Sequence, residues 1–518
     1  MSLAITAGLC ACGGSDRRNA TAGEPTEITA GAAANTLRES QRGTPGTRAA
    51  DLNSQGQREL VDRVWNAPGQ APVQRREAIK QIAWQASTGQ HARVRAIELL
   101  TEDATDTENA DTRAMLVLLV AVEPDYPVVT HVATLATQRQ WRELVPALMR
   151  ALARQQSVIP DTQRAESTAI AALTGKPIVE AAFDLFATEP TGTGRNLERA
   201  QRAREAAWEV MSRIDADGSQ RAALAQQLAS SPGGAASKSS SADNLRQTFS
   251  DLGALPLTGE QLSWVSTMRE QGQAARGDAE SSGELWWAQA LAAVAARGET
   301  LRSGWALRHV EPARFTLATS PARLNASRAE LETLLQARLR PRDRYERQPE
   351  GFGETGAGSE RFDDNKARLS TPDLLALLVI DDALATKGLA DELWKQAKGD
   401  MEDTSTEHGG ILIRDGGAWS ARAFSPAGGQ RSGDLRFVAS KQMIEASALS
   451  LAHYHFHAQR VRNARYAGPS PGDAEYAARH GRVCLIFTPV SEGKLNVDAL
   501  FPTGVNIDLG VLQARASR

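Results

Sequence analysis

The hydrophobic period of this chain changes once along its length, and that change limits what it can fold into. Between residues 56 and 230, segments such as "RELVDRVW", "RREAIKQIAWQA", "TRAMLVLLVAV" and "RAREAAWEVMSRI" place apolar residues at i, i+3 and i+4. That spacing predicts amphipathic helices. The helical period returns over 246–345, in "EQLSWVSTMREQ", "GELWWAQALAAVAARG" and "RAELETLLQARLR". After residue 370 the pattern differs. One more helical stretch opens with Ser370, Thr371 and Pro372, residues suited to a helix start. Then "GGILIRD", "WSARAFS", "LRFVAS", "LSLAHYHFH", "RVCLIFTPV", "KLNVDALFP" and "GVNIDLGVL" are short alternating or fully apolar runs bounded by Gly, Pro or Ser. They read as strands. The expectation is a multidomain chain, an all-α region followed by an α/β domain.

The helices of 56–345 are short and repeat without a strand signal. They resemble a HEAT-type helical array, although no fixed period emerges and an irregular helical bundle fits equally. Residues 231–245, "SPGGAASKSSSADNL", read as a flexible break, and 346–369 as a polar, Gly-rich linker to a domain at 370–518. The paired Trp286 and Trp287 read as packing residues. Residues 13–55 are too poor in apolar side chains to bury much and read as a disordered tether.

Composition excludes several functions. Hydrophobic content of 41% and charged content of 23% suit a soluble globular chain of 518 residues. The net charge is −3 with no block of like charge, so nothing marks a nucleic-acid footprint. No stretch approaches the ~20 apolar residues that a membrane span needs. Cys10, Cys12 and Cys484 cannot build a disulfide framework or a cysteine zinc knuckle. The N-terminal "MSLAITAGLCACGGSD" resembles a bacterial lipoprotein signal over residues 1–12, with Cys12 at the lipid-modified position. The resemblance implies a cell-envelope protein that meets the membrane through a lipid anchor only. Without the signal the chain reads as cytoplasmic.

The candidate chemistry lies in the C-terminal region. His453, His455 and His457 occupy alternate positions. In a strand such residues share a face, so the imidazoles of His455 and His457, or of His453 and His455, can converge on one metal ion. A surface or core histidine strand is the plainer reading. "GPSPGDAEYAARHG" is a capping box that opens a helix after Ser470 and closes it at Gly481, with Asp473 in the first turn. Glu407 precedes Gly409, Gly410 and an apolar strand. His408 and His480 read as surface residues.

Taken in order, Glu407-x-Gly-Gly-x-Leu, His455-x-His457 and Ser470-x-x-Asp473 resemble the JAMM (JAB1/MPN/Mov34) zinc metalloprotease family. The resemblance implies a mixed, curved sheet flanked by helices. It implies that His455, His457 and Asp473 hold Zn²⁺, that Glu407 is the general base and that Ser470 steadies the oxyanion. This chain departs from the family at Phe456 and Ala458, where Ser or Thr and then Pro are usual, and in a longer loop between His457 and Asp473. Three functions follow as expectations. One is a zinc-dependent peptidase or isopeptidase acting on a protein or peptide substrate. The second is an inactive MPN-type scaffold, and the third a purely structural envelope lipoprotein. In the first, the helical region presents the substrate or docks a protein partner.

Overall fold

A computed structural model describes residues 53–69, 71–102, 104–154, 158–230, 240–271, 283–345, 359–415, 417–425, 433 and 437–515. The expected signal at 1–12 with its Cys12, the tether through residue 52, and segments 231–239 and 346–358 of the expected break and linker lie outside the described residues. Among the described residues no helix is long and apolar enough to cross a membrane.

The described residues divide into two compact units, those from 53 to 119 with 123–132, and those of 120–122 with the described residues from 133 to 515. In the first, helices Ser54–Trp65, Pro72–Trp84 and Gln90–Thr101 bury Val61, Ile79, Ile82, Ile97 and Leu100. Arg93 forms a buried ion pair with Glu123 and a second, at 2.9 Å, with Asp125.

The second unit is helical up to its sheet, as the period predicts. The helices that bear on the sheet domain are α1 (Gly259–Gln271), α2 (Gly283–Ala296), α3 (Val310–Thr319) and α4 (Arg328–Leu339). Trp286 of α2 is buried edge-on against Trp264 of α1, with ring centroids 5.1 Å apart. Residues 240–245, at the end of the expected break, already belong to the helix Ser240–Leu252. The end of the expected linker is likewise packed, because Phe362 and Leu369 are buried in the main core.

That core crosses from the helices into the sheet domain. It joins Ala293, Ala313, Leu331, Leu335 and Leu339 to α5 (Thr371–Leu384), α6 (Leu389–Glu402) and the sheet residues Tyr454, Phe487 and Ile507. Helix α5 shows why. Leu374, Leu375, Leu377, Leu378, Val379 and Ile380 are all buried, and a helix apolar all round must be covered on every side. Its start is as read. Ser370 Oγ accepts from Asp373 N at 3.2 Å, and Asp373 Oδ2 accepts from Ser370 N at 3.1 Å.

Six strands follow: β1 (Gly409–Asp415), β2 (Ala418–Phe424), β3 (Ser450–Phe456), β4 (Cys484–Ser491), β5 (Lys494–Leu500) and β6 (Asn506–Gln513). They form one mixed sheet in the order β2-β1-β3-β4-β5-β6, antiparallel except for the parallel pair β3–β4. The expected strand "LRFVAS" is absent over its described residues 437–440. Ser440 instead caps a short helix, Lys441–Ala446, by accepting from Met443 N at 3.2 Å.

The shared core makes the sheet domain dependent on the helices before it. A chain starting at residue 359 lacks Leu331, Leu335 and Leu339 and leaves their contacts on α5 in water. It is expected to bind a hydrophobic dye and to melt without a cooperative transition; a sharp calorimetric transition in that fragment would contradict this.

Candidate metal centre

A parallel strand pair cannot be joined by a tight turn and needs a crossover of a dozen or more residues. The crossover from β3 to β4 runs over 457–483 and contains α7 (Pro471–His480). Ser470 caps α7: its Oγ accepts from Asp473 N at 3.3 Å, and Asp473 Oδ2 accepts from Ser470 N at 2.6 Å. Gly481 ends the helix in the left-handed region at φ 66°. The cap fixes Asp473 in the first turn, at the electropositive end of the helix.

Strand β1 lies on the other side of β3. Gly409 pairs with His455, and Phe456 N donates to His408 O at 3.1 Å. The two glycines allow this closeness. A Cβ on Gly409 would collide with Tyr454 O and the Phe437 ring, and one on Gly410 with Arg422 O. Glu407 is thereby brought beside the two histidines.

Four of the expected residues converge. His455 Nε2 lies 3.1 Å from Asp473 Oδ1, and His457 Nε2 lies 3.3 Å from Asp473 Oδ2. Donor atoms of Glu407, His455 and His457 all fall within 4.8 Å of one another. All four residues are buried. Ser470 stands one turn from Asp473 and is half-buried.

Both imidazoles are oriented through their far nitrogens. His457 Nδ1 is 3.0 Å from Tyr466 O, so Nδ1 carries a proton and donates, and in the neutral ring the lone pair is on Nε2. His455 Nδ1 is 3.4 Å from Cys484 Sγ. His455 Nε2 is fully buried and, despite the nearby carboxylate, has no hydrogen-bond partner in line with the ring. A buried nitrogen left in this way is costly unless something else takes its lone pair. Two imidazoles held by outer partners, with a carboxylate across from both, is the arrangement that supports a bound metal ion.

The charges are unequal in kind. Burial works to raise the Asp473 carboxyl, but the adjacent His455 and His457 outweigh it and hold Asp473 far below the usual carboxylate range. Burial works to lower His457, yet the bond to Asp473 and the Asp473 and Glu407 charges push it up to about 9. Glu407 is displaced the other way: burial raises it, only partly opposed by His455 and His457. The centre therefore pairs a strongly ionised carboxylate with one that holds its proton more readily.

His453 does not join this group. Its Nδ1 lies 2.8 Å from Tyr476 Oη, and its Nε2 3.2 Å from Glu260 Oε1. His480 corrects the surface reading: its Nδ1 is 2.7 Å from Glu260 Oε2 and its side chain is mostly buried. His408 is half-buried and lies 3.1 Å from Asp403. Sequence reasoning missed Tyr466, Cys484 and Glu260. The first acts through its carbonyl, and nothing in the sequence ties the other two to the histidines. No family model, curated protein or solved structure matches the chain.

The raised His457 makes the stability of the metal-free protein pH-dependent. A histidine titrates near 6.5 when unfolded and here at about 9 when folded. Between those values the folded state holds more protons, so stability falls as pH rises. The contribution is complete below pH 6.5 and gone above about 9. The melting temperature of the chelator-treated protein is expected to drop across that window, and Asp473→Asn to flatten the drop. A level profile in the parent protein would contradict the pairing.

Proposed function

We propose that residues 370–518 form a JAMM-type zinc peptidase domain that hydrolyses a peptide bond or a lysine-linked isopeptide bond in a protein substrate. The observation that carries this reading is the meeting of His455, His457 and Asp473 with Glu407 in one buried cluster. These are the residues that occur in the family's order along the sequence.

The donor set suits zinc. Two neutral imidazoles and a carboxylate leave a divalent ion with net positive charge and a fourth position open, as catalytic zinc sites require. Two donors each ~2.0 Å from a tetrahedral ion are separated by about 3.3 Å, close to the 3.1 and 3.3 Å between Asp473 and the histidines. When bound, zinc supplies Lewis acidity and brings the pKa of its water from 15.7 to about 7.

The chain's own groups do the rest. Glu407 receives the proton of the attacking water and passes it to the leaving amine. Its raised pKa suits that exchange, because a base works best when its pKa lies near the operating pH. The Ser470 oxygen is already used as an acceptor by Asp473 N. Its hydroxyl proton is left to donate to the oxygen of the tetrahedral intermediate. Such a donor is worth about 2.7–4 kcal/mol. We also propose that Cys12 is lipidated and anchors the protein in the cell envelope.

The test uses protein loaded with one equivalent of zinc and a panel of peptide and lysine-linked isopeptide substrates. Turnover is expected to stop on chelation and to fall by about 10²–10⁴-fold in Glu407→Gln, with the zinc content of that variant unchanged. Zinc binding without turnover on any substrate would assign an inactive scaffold instead. For the anchor, incorporation of labelled palmitate into cells expressing the chain is expected, and its loss in Cys12→Ser; label retained in that variant would refute the assignment.

A further inference from the structure

Glu260 lies in the helical region, about two hundred residues before the histidines, yet its carboxylate is buried among them. Oε1 accepts from Ser447 Oγ at 2.7 Å and from Arg482 Nε at 2.7 Å, and lies 3.2 Å from His453 Nε2. Oε2 lies 2.7 Å from His480 Nδ1. These partners belong to different segments. Ser447 leads into β3, His453 sits within β3 two residues before His455, His480 ends the Asp473 helix, and Arg482 leads into β4. Arg482 also reaches back to Ser450 O at 2.9 Å, at the start of β3.

The residues beside Glu260 hold the same helix. Thr258 Oγ1 donates to His480 O at 3.2 Å, and Gln261 Nε2 donates to Gly481 O at 2.9 Å. Helix ends leave carbonyls without partners, and here α1 and its approach supply them. One end of the Pro471–His480 helix is thus fixed by the helical region while the other presents Asp473. A further link crosses the middle. His453 Nδ1 meets Tyr476 Oη at 2.8 Å, one turn after Asp473. Tyr476 packs edge-on against Phe437, and Phe437 stacks flat on His455 with ring centroids 5.2 Å apart.

We propose that Glu260 is a positioning residue for the metal centre, a carboxylate lent by the helical region that locks the strand bearing His455 to the helix bearing Asp473. This rests on the reading of His455, His457 and Asp473 as metal ligands. The donors of Glu260, His453 and His480 lie within 4.8 Å of one another and could themselves be taken for a ligand set. The Arg482 guanidinium on the same carboxylate decides against that. It already supplies the positive charge that a buried carboxylate needs, and it repels a second cation from the same oxygen.

The experiment uses the full chain and compares Glu260→Gln with Leu335→Ala, a core change that touches none of these groups. Zinc affinity and stoichiometry are read by chelator competition, and ligand geometry by the visible absorption of the cobalt-substituted protein. Glu260→Gln is expected to weaken zinc by about tenfold or more and to shift the cobalt bands. Leu335→Ala is expected to lower the melting temperature with affinity and spectrum unchanged. Should Glu260→Gln fail to fold, the double variant Thr258→Val/Gln261→Leu takes its place, with the same direction expected. Parent-like affinity and spectrum in the Glu260 or cap variant would overturn the proposal. So would a second zinc equivalent in the parent that disappears in Glu260→Gln, since Glu260 would then be a ligand. A parent protein that binds no zinc would overturn the metal-centre reading first, and is told apart by the parent titration alone.

Discussion

A carboxylate taken out of water must find positive charge or hydrogen bonds where it lands. The C-terminal half of this protein is organised around two such carboxylates. Asp473 meets His455 and His457, while Glu260 meets Arg482, His480, Ser447 and His453. Glu407 is the contrasting case. It is as buried as Asp473, but burial prevails over its neighbours and its proton is held more tightly. Two acids a short distance apart are thus driven in opposite directions by their surroundings.

The rest of the domain exists to keep those groups in place. Gly409 and Gly410 let β1 close on its neighbours, so that Glu407 reaches the histidines. The alternation of β3 turns His453, His455 and His457 to one side and Tyr454 and Phe456 to the other, into the core shared with the preceding helices. Cys484 and the Tyr466 carbonyl then set the rings from behind. Burial holds the Cys484 thiol protonated, far above its ordinary range, so it acts on His455 as a neutral partner.

What could be read from the residues was local. The change of period separates helices from strands, and the capping box at Ser470 places Asp473 within a turn of a helix end. Alternation along "HYHFH" puts the histidines on one face. Three local patterns in correct order were enough to bring Glu407, His455, His457 and Asp473 under suspicion together. Where the sequence misled, a tertiary contact or a competing cap was responsible. "LRFVAS" alternates like a strand, but Ser440 starts a helix and Phe437 is drawn onto His455. His480 looks like any polar residue at a helix end until α1 brings Glu260 to it. Phe362 and Leu369 sit in a polar stretch and carry no period, yet the core takes them in. No pattern of spacing reveals a partner two hundred residues away, and Glu260 was invisible for that reason.

The β3–β4 crossover has a consequence for how such a protein can diversify. The pairing of His455 with Ile486 is set by the ladder alone, whereas the chain between them leaves the ladder after Phe456 and returns to it only at Cys484, by way of Asp473. Asn463 ties that passage to the His457 carbonyl at 2.8 Å and to Pro489 O at 2.7 Å. Residues can be gained or lost between these moorings without disturbing a single rung. A crossover of another length can therefore serve the same two strands and the same interior.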